Sequence, residues 1–147
     1  MRPAQRRAAL AAVLLVAACA ADGSSAPSAA GDPLPGTAWL AEDIEGGGVL
    51  DRLRTTLSFL GDGRVSGNGG CNRFNGPVEV KGQSIHFGSL AVTMMACSPA
   101  VMNQEERFFA ALKAATQWQR TPQHKLMLSD AAGKPVLVMS LLPLDRG

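Results

Sequence analysis

The chain has 147 residues and a formal net charge of +2, from 14 basic and 12 acidic side chains. Three of the basic residues lie within residues 1–18, so residues 19–147 carry 11 basic and 12 acidic side chains. This nearly neutral remainder lacks the basic surface that nucleic-acid-binding proteins use, and its length suits one ordinary domain of about 110 residues plus a tether.

The amino-terminal segment has the pattern of a secretion signal. Arg2, Arg6 and Arg7 give a positive start, and residues 8–18 form an unbroken apolar run. The run is shorter than the ~20 apolar residues that span a bilayer, and it has the length of the apolar part of a signal peptide. No later apolar stretch of the sequence is long enough to span a membrane. Residues 1–18 are therefore predicted to be removed on export.

The end of this run resembles a bacterial lipobox, in which a branched aliphatic and two small residues precede a cysteine: Val16-Ala17-Ala18-Cys19. The resemblance implies that the Cys19 sulfur carries a diacylglycerol and that Cys19 begins the mature chain. An ordinary signal peptide cut nearby is the alternative. Residues 19–35 are rich in small residues and proline, which predicts a flexible tether. By resemblance to Gram-negative sorting rules, Ala20 after the cysteine favours the outer membrane.

Two further cysteines remain as a pair if Cys19 carries lipid. Disulfides persist in oxidising compartments, and a bridge between Cys71 and Cys97 would close a loop worth roughly 3–4 kcal/mol in the chain-entropy model. Two buried free thiols are the alternative, because cysteine also serves as a small core residue. A zinc site is not expected, since four ligands are usual and His86 and His124 are the only histidines.

The domain has the pattern of short strands joined by turns, interrupted once by a helix. Alternating, β-branched or aromatic residues predict strands at 37–44, 55–60, 64–67, 77–80, 84–87, 117–120, 125–129 and 135–142, with an extended piece at 91–95. After Cys97 the period changes. Ser98 and Pro99 are a favourable N-cap and first helical residue, and apolar residues then recur at helical spacing, so one helix is predicted over residues 99–115.

These elements predict an α+β, mostly β fold: a small antiparallel β-barrel-like domain of about eight short strands with one helix. The helix should close an open end or pack on one face, because its phenylalanine and leucine stripe must be buried. The domain is predicted to cover residues 36–142, followed by a tail at 143–147.

Residues 67–76 form the most unusual stretch, with four glycines and three asparagines among ten residues. This composition favours positive φ angles and a tight backbone path. Its backbone N–H groups could bind an anion, but no P-loop lysine follows. A sharp turn that carries Cys71 towards Cys97 is the simpler interpretation, and Arg73 is a candidate partner for a carboxylate such as Glu105.

Candidate catalytic residues form no familiar motif in this sequence. There is no Gly-x-Ser-x-Gly elbow, and Cys71 as a nucleophile with His86 as its base is less simple than a disulfide. His86 lies between Ile85 and Phe87 in a predicted strand, so its side chain should point to the opposite face, towards solvent. His124 falls in a turn and should lie on the surface.

The remaining polar and sulfur-containing candidates have structural interpretations. Glu105 and Glu106 open the predicted helix, where the helix dipole stabilises negative charge. Met94, Met95 and Met102 are interpreted as core fillers and not as a metal site. No catalytic residue, metal or cofactor is therefore predicted.

Taken together, the sequence motifs of the domain resemble the META domain of HslJ-type proteins. The residues that carry the resemblance are Trp39; Gly67, Gly69, Gly70, Cys71, Asn72, Arg73, Phe74 and Gly76; Thr93, Met94, Met95, Ala96 and Cys97; Met102, Glu105, Phe108 and Leu112; and Lys125–Asp130 with Gly133. The resemblance covers about residues 36–142. It implies a small β-barrel-like α+β fold, an envelope setting, and an association of some members with heat shock, antibiotic tolerance or motility. It does not supply a settled biochemical activity.

The leading hypothesis is a lipid-anchored, non-catalytic protein of the outer membrane that faces the periplasm and supports the envelope under stress. It would be a monomer, held to the membrane through Cys19, that contacts envelope proteins or polymers and no nucleic acid. A periplasmic carrier of small ligands is the alternative. A carrier needs an internal apolar cavity, whereas an interaction module needs an exposed patch. An enzyme would need a polar cleft that unites His86, Arg73 and a carboxylate.

Overall fold

A computed structural model describes residues 33–143 of the chain. The predicted signal segment, the anchor at Cys19, most of the tether and the last residues of the predicted tail lie outside the described residues. Within the described range, no helix has both the length and the apolar character needed to cross a membrane.

Nine strands and one helix follow one another along the described chain. Their bounds are β1 Thr37–Ile44, β2 Thr56–Phe59, β3 Arg64–Asn68, β4 Arg73–Lys81, β5 Ser84–Phe87, β6 Ala91–Val92, α1 Pro99–Ala114, β7 Gln117–Arg120, β8 Leu126–Ser129 and β9 Pro135–Leu142. Four strands, β1, β5, β7 and β9, have the predicted bounds, and α1 ends one residue earlier than predicted.

Eight of the strands close into an antiparallel barrel, in the order β3-β2-β1-β9-β8-β7-β5-β4, with β4 pairing back onto β3. The predicted α+β, mostly β barrel with one helix is thus confirmed. The pairing between β5 and β7 is short: within the described chain it consists of one residue pair, Ser84 opposite Gln117. β6 lies beside the first part of β4, where Val92 is opposite Phe74 and Ala91 is opposite Asn75.

The glycine-rich block belongs to a hairpin and not only to a turn, which corrects the predicted start of β4. β4 begins at Arg73, four residues before the predicted Pro77, and Arg73 pairs with Asn68 of β3. Gly67 lies inside β3, and this position requires glycine because a Cβ there would come within 2.1 Å of the Thr56 carbonyl oxygen. The glycines and asparagines therefore allow close backbone approach inside a strand pair as well as a change of direction.

The barrel interior is filled by side chains from both the sheet and the helix. Residues that lie wholly or almost wholly inside include Trp39, Leu57, Val65, Phe74, Leu126, Leu128, Leu137 and Met139. From α1, Phe108, Ala111 and Leu112 join this core, and the Phe108 ring lies 5.7 Å from that of Phe74. Burial of the apolar stripe of α1 against the barrel follows the prediction that this stripe needs a partner surface.

The helix starts where the sequence predicted. Pro99 occupies the first turn, and Ser98 has the extended backbone of an N-cap residue, with φ −61° and ψ 152°. Within the described residues, however, the Ser98 side chain makes no capping hydrogen bond. The fixed φ of proline at the first helical position is sufficient to explain the start.

Candidate functional site

Cys71 and Cys97 are joined by a disulfide, as the pairing of the two cysteines predicted. Their Cα atoms lie 6.0 Å apart, and Cys97 follows Cys71 by 26 positions in the sequence. Cys71 sits in the hairpin between β3 and β4 and is nearly buried, whereas Cys97 is exposed just before α1. The bridge therefore ties an exposed segment before the helix to the buried middle of the glycine-rich block.

A buried carboxylate lies directly behind this disulfide. Glu105 of α1 is 5% exposed. Its Oε2 accepts hydrogen bonds from the backbone N–H groups of Cys71, at 2.9 Å, and Asn72, at 2.5 Å. Its Oε1 accepts a hydrogen bond from Asn72 Nδ2 at 2.7 Å. The glycine-rich block thus binds an anion through its backbone, but the anion is a side chain of the same protein.

This arrangement corrects two predictions about charge. Arg73 is not the partner of Glu105, because Arg73 is exposed while the buried Glu105 carboxylate accepts its hydrogen bonds from Cys71 and Asn72. Glu105 also does not serve the helix dipole. The first turn of α1, Pro99–Met102, consists of neutral residues, and Glu105 lies beyond it. Dipole stabilisation falls off within the first turn, so contact with the hairpin explains this buried carboxylate.

Gly69 makes room for the carboxylate. A Cβ at this position would come within 2.9 Å of Glu105 Cγ, Glu105 Oε2 and the end of the Phe109 ring. Real Cβ atoms essentially never make contacts this short. Any larger residue at position 69 would therefore push α1 away from the hairpin and disrupt the hydrogen bonds of Glu105.

The Asn72 side chain connects the buried carboxylate to the exposed segment. Asn72 Oδ1 accepts hydrogen bonds from Thr93 Oγ1 at 2.9 Å and from the Met95 N–H at 2.6 Å. Asn72 Nδ2 donates to the Met95 carbonyl at 3.3 Å as well as to Glu105. One buried amide therefore holds both backbone groups of Met95.

The segment held in this way displays its side chains to solvent. Residues 91–100 are exposed, including Met94 at 98% and Met95 at 61% exposure. The prediction that Met94, Met95 and Met102 fill the core is wrong. Asn72 holds Met95 by its backbone N–H and carbonyl groups. The thioether side chain of Met95 is therefore left exposed to solvent.

These methionines line one wall of a groove between α1 and the chain from β5 to α1. Two cavities, of about 580 and 540 Å³, adjoin at Val92 and Phe109, which line both. We call the combined feature the groove. Its helical wall contains Met102, Glu106, Phe109 and Lys113, and its other wall runs from His86 to Ala96.

The groove concentrates the exposed apolar surface of the domain. Eight large apolar residues are at least 36% exposed within the described chain, and four of them line the groove: Val92, Met94, Met95 and Met102. The others are Leu50, Leu60, Val80 and Leu141. Contiguous exposed apolar patches mark interaction sites more often than isolated surface residues do.

The two histidines lie where the strand and turn patterns predicted. His86 is exposed while its neighbours Ile85 and Phe87 are buried, and His124 is exposed in a turn with a φ of 60°. His86 lines the same end of the groove as Lys113, and Glu105 lines the other end. In residues 33–143, Arg73 lines neither cavity of the groove, and no three His, Cys, Asp or Glu residues are grouped to hold a metal.

The carboxyl group of Glu79, which lies opposite His86, has a lowered pKa. The pKa of the Glu79 carboxyl lies below its ordinary value because Lys81 donates a hydrogen bond to it and carries a positive charge. His86, which lies opposite Glu79 in the β4–β5 pair, adds a smaller lowering of this pKa. All three groups are exposed, so this cluster has the character of a solvated surface.

Sequence reasoning located the motif residues but missed the groove they support. The signal was present in the Met94-Met95 doublet, which precedes a cysteine and lies outside any predicted helix. Periodicity cannot show that the backbone of such a doublet is anchored while its side chains are exposed. That distinction depends on Asn72, more than 20 residues earlier in the chain.

Known structures share this fold. An NMR structure of a protein from Burkholderia xenovorans is similar with a TM-score of 0.61 and 24% identity, over 76% of this chain and 85% of that chain. A second protein solved by NMR has a TM-score of 0.59 and 27% identity, over 74% of this chain and 91% of that chain. No curated protein matches the chain significantly. The META domain model matches residues 32–141, and the chain therefore belongs to the META domain family.

Proposed function

We propose that this chain is a lipid-anchored, non-catalytic envelope protein whose META domain contacts partner proteins through the groove. The observation that carries the proposal is the anchoring of residues 93–97, which are held by buried groups and yet expose their side chains. The predicted anchor at Cys19 would hold this surface near the membrane, as one component of envelope stress tolerance.

The anchoring is extensive for a segment that buries so little. Thr93, Met95 and Cys97 are tied to the hairpin by hydrogen bonds and the disulfide. Each hydrogen bond contributes about 0.5–1.5 kcal/mol net, and fixing one residue of backbone costs about 1–2 kcal/mol. Apolar burial by Met94 does little to offset that cost. An ordered, exposed segment of this kind is suited to binding, because its conformational entropy is already lost before a partner arrives.

The side chains displayed by the groove are chemically suited to protein contacts. Methionine is unbranched and polarizable, so it adapts to differently shaped apolar partners. Met94, Met95 and Met102 line the same cavity, beside the half-buried ring of Phe109. This composition supports contact with apolar segments of other proteins more than contact with a strongly hydrated polymer.

The structure favours an interaction module over the alternative of a small-ligand carrier. A carrier of the barrel type holds its ligand inside, and here the interior positions are occupied by Trp39, Leu128, Leu137 and Met139, which are fully buried. The groove lies outside the barrel, between α1 and β6. The groove therefore provides the exposed apolar patch that an interaction module needs.

The proposal is tested by site-specific photo-crosslinking in living cells. A photo-reactive amino acid replaces Met95, which is 61% exposed in the groove, or Leu141, which is 48% exposed on β9. We expect defined protein adducts from position 95 that are missing from position 141. Equal labelling at both positions, or no adduct from position 95, would contradict a contact function for the groove.

The anchor is tested separately with the same cells. Cys19→Ala should move the protein from the membrane fraction to the soluble fraction, because the acyl acceptor is lost. The intact mass of the wild-type protein should begin at Cys19 and include acyl groups. An unlipidated wild-type chain, or a Cys19→Ala chain that stays with the membrane, would refute the anchor.

A further inference from the structure

We infer that the groove binds an extended peptide segment of a partner protein, which adds as an antiparallel strand to the outer edge of β6. The inference rests on the proposed contact function and specifies its chemistry. It draws on the unpaired edge of β6, the length of the groove, and the charges at its two ends.

The backbone of β6 has one paired edge and one open edge. Thr93 N–H donates to the Arg73 carbonyl at 3.0 Å, and Ala91 lies opposite Asn75, so these residues direct their backbone groups towards β4. In an antiparallel ladder the intervening residues direct theirs the other way. Val92 and Met94 therefore turn their N–H and C=O groups away from β4, and within the described chain these groups have no strand opposite them.

Within the described chain β6 is the last strand in the sheet order, and its one strand partner is β4. β5 pairs with β7 at Ser84, and α1 lies between β6 and β7 in the chain. The groove occupies the space between β6 and α1. Open edges of this kind accept extended peptides by strand addition, in which main-chain hydrogen bonds supply affinity and pockets for alternate side chains supply specificity.

The length of the groove fits a short strand. Met102, Glu106, Phe109 and Lys113 follow one another at spacings of four, three and four residues, which places them along one face of α1. At 1.5 Å per residue this face extends about 16 Å, the length of about five residues in a β-strand. The two cavities then provide separate pockets for alternate apolar side chains of the peptide.

The charges at the two ends of the groove, taken with the antiparallel orientation, predict the charge pattern of the peptide. His86 and Lys113 lie at the end near β5, and Glu106 lies at the end near Met94 and Met95. A peptide antiparallel to β6 begins near Glu106 and finishes near Lys113. The matching segment therefore has a basic residue at its start, alternating apolar residues, and an acidic residue at its end.

The test uses the full chain with Cys19→Ala, so that no acyl chain competes for the groove. The probe is a blocked six-residue peptide that begins with lysine, alternates leucine and threonine, and ends with glutamate. We expect saturable binding by fluorescence anisotropy, with amide NMR shifts confined to residues 86–96 and 102–113. Lack of binding at millimolar peptide, or shifts elsewhere on the domain, would overturn the inference.

A matched pair of variants tests the location. Val92→Lys places a charge at the open edge, and Val80→Lys makes the same change on β4 outside the groove. The two valines are 38% and 37% exposed. We expect Val92→Lys to weaken binding at least tenfold and Val80→Lys to leave it within twofold, with amide spectra confirming that both variants fold. Equal effects would overturn the inference.

Peptide variants test the mode without changing the protein. N-methylation of alternate residues along one edge of the peptide should abolish binding, while methylation along the other edge is tolerated, because only one edge pairs with β6. Exchanging the terminal lysine and glutamate should weaken binding severalfold. Tolerance of both methylation patterns rejects strand addition. Crosslinks from position 95 in cells without peptide binding would leave the contact function standing and remove only this mode, whereas loss of both results rejects both proposals.

Discussion

The barrel core and the segment at residues 91–97 are both ordered, but different forces order them. Core residues such as Trp39 and Leu137 are fully buried, so removal of apolar surface from water stabilises them. The exposed segment buries little and is held by Asn72, Glu105 and the disulfide. The comparison shows that this fold can build a rigid apolar surface outside its core by anchoring the backbone in place of the side chains.

The greatest loss of stability is expected when the buried carboxylate that anchors the exposed segment is removed. Glu105→Ala leaves three donors of the hairpin without their acceptor, and we expect a loss of about 4 kcal/mol in the free energy of unfolding. The neighbouring Glu106→Ala is the control, because Glu106 is exposed and its removal should cost less than about 0.5 kcal/mol. Urea denaturation of both variants measures the difference. Similar midpoints for Glu105→Ala and the wild type would show that the carboxylate does not anchor the segment.

The disulfide should give the next largest effect. Cys71→Ser and Cys97→Ser should each lower the free energy of unfolding by roughly 3–4 kcal/mol, because either change releases the same closed loop. Reduction of the wild type should produce a similar loss and should leave both variants unchanged. Clearly unequal losses in the two variants would argue that one cysteine contributes more by packing than by the bridge.

The barrel core and the exposed segment each contain a methionine, so the effect of the same substitution on stability can be compared between them. Met139 is fully buried in β9, and Met94 is 98% exposed. Met139→Ala should cost about 3 kcal/mol, through lost burial and the cavity left behind, whereas Met94→Ala should change stability by less than about 0.5 kcal/mol. Thermal unfolding of the two variants measures both values. A large loss for Met94→Ala would mean that the displayed side chain supports the fold.

The smallest effect is expected at the exposed pair of Glu79 and Lys81. The pKa of Glu79 is lowered from 4.5, so its stabilising contribution is present above that value and is lost as pH falls through the folded pKa. The pKa of Lys81 is raised from 10.5, so its contribution is present below that value and is lost as pH rises through the folded pKa. Glu79→Gln should therefore slightly lower the Tm near pH 7, and this difference should disappear as the pH falls through the folded pKa of Glu79.

Added salt distinguishes an electrostatic effect of Glu79→Gln from a packing effect. Exposed ion pairs are screened, so the small difference between Glu79→Gln and the wild type should shrink further at about 1 M salt. A pH- and salt-independent loss would instead assign the effect to strand packing on β4. Either result leaves the exposed segment at residues 91–97 untouched, since this pair lies at the far end of β4.

Local patterns predicted most of the fold correctly. Alternation placed His86 on the outer face of β5, and the change of period at Pro99 placed the start of α1. These predictions succeeded because they depend on neighbours within a few residues. The start of β4 was predicted too late because glycine and asparagine favour turns locally, while the close approach of Gly67 to Thr56 depends on a different strand.

The candidate site was predicted only in its residues and not in its arrangement. The sequence identified Asn72, Thr93 and Glu105 as motif positions, but it assigned Glu105 to the helix dipole and Met94 to the core. Both errors have the same cause. Asn72, which accepts from Thr93 and Met95 and donates to Glu105, lies more than 20 positions from each of them, and helical or strand periodicity carries no information about contacts at that separation.

The family motifs and the strand and helix periodicities can be read directly from the sequence, and the cysteine count favours a Cys71–Cys97 bridge once Cys19 is assigned to lipid. That the glycine-rich block binds Glu105, and that Met94 and Met95 are exposed, follows only from the folded arrangement. The physical reason is that burial of a polar group depends on the donors brought to it by other elements. Asn72 and Glu105 come into contact only when the β3–β4 hairpin packs against α1. In this position Asn72 holds the backbone of residues 93–95, and the side chains of Met94 and Met95 are exposed.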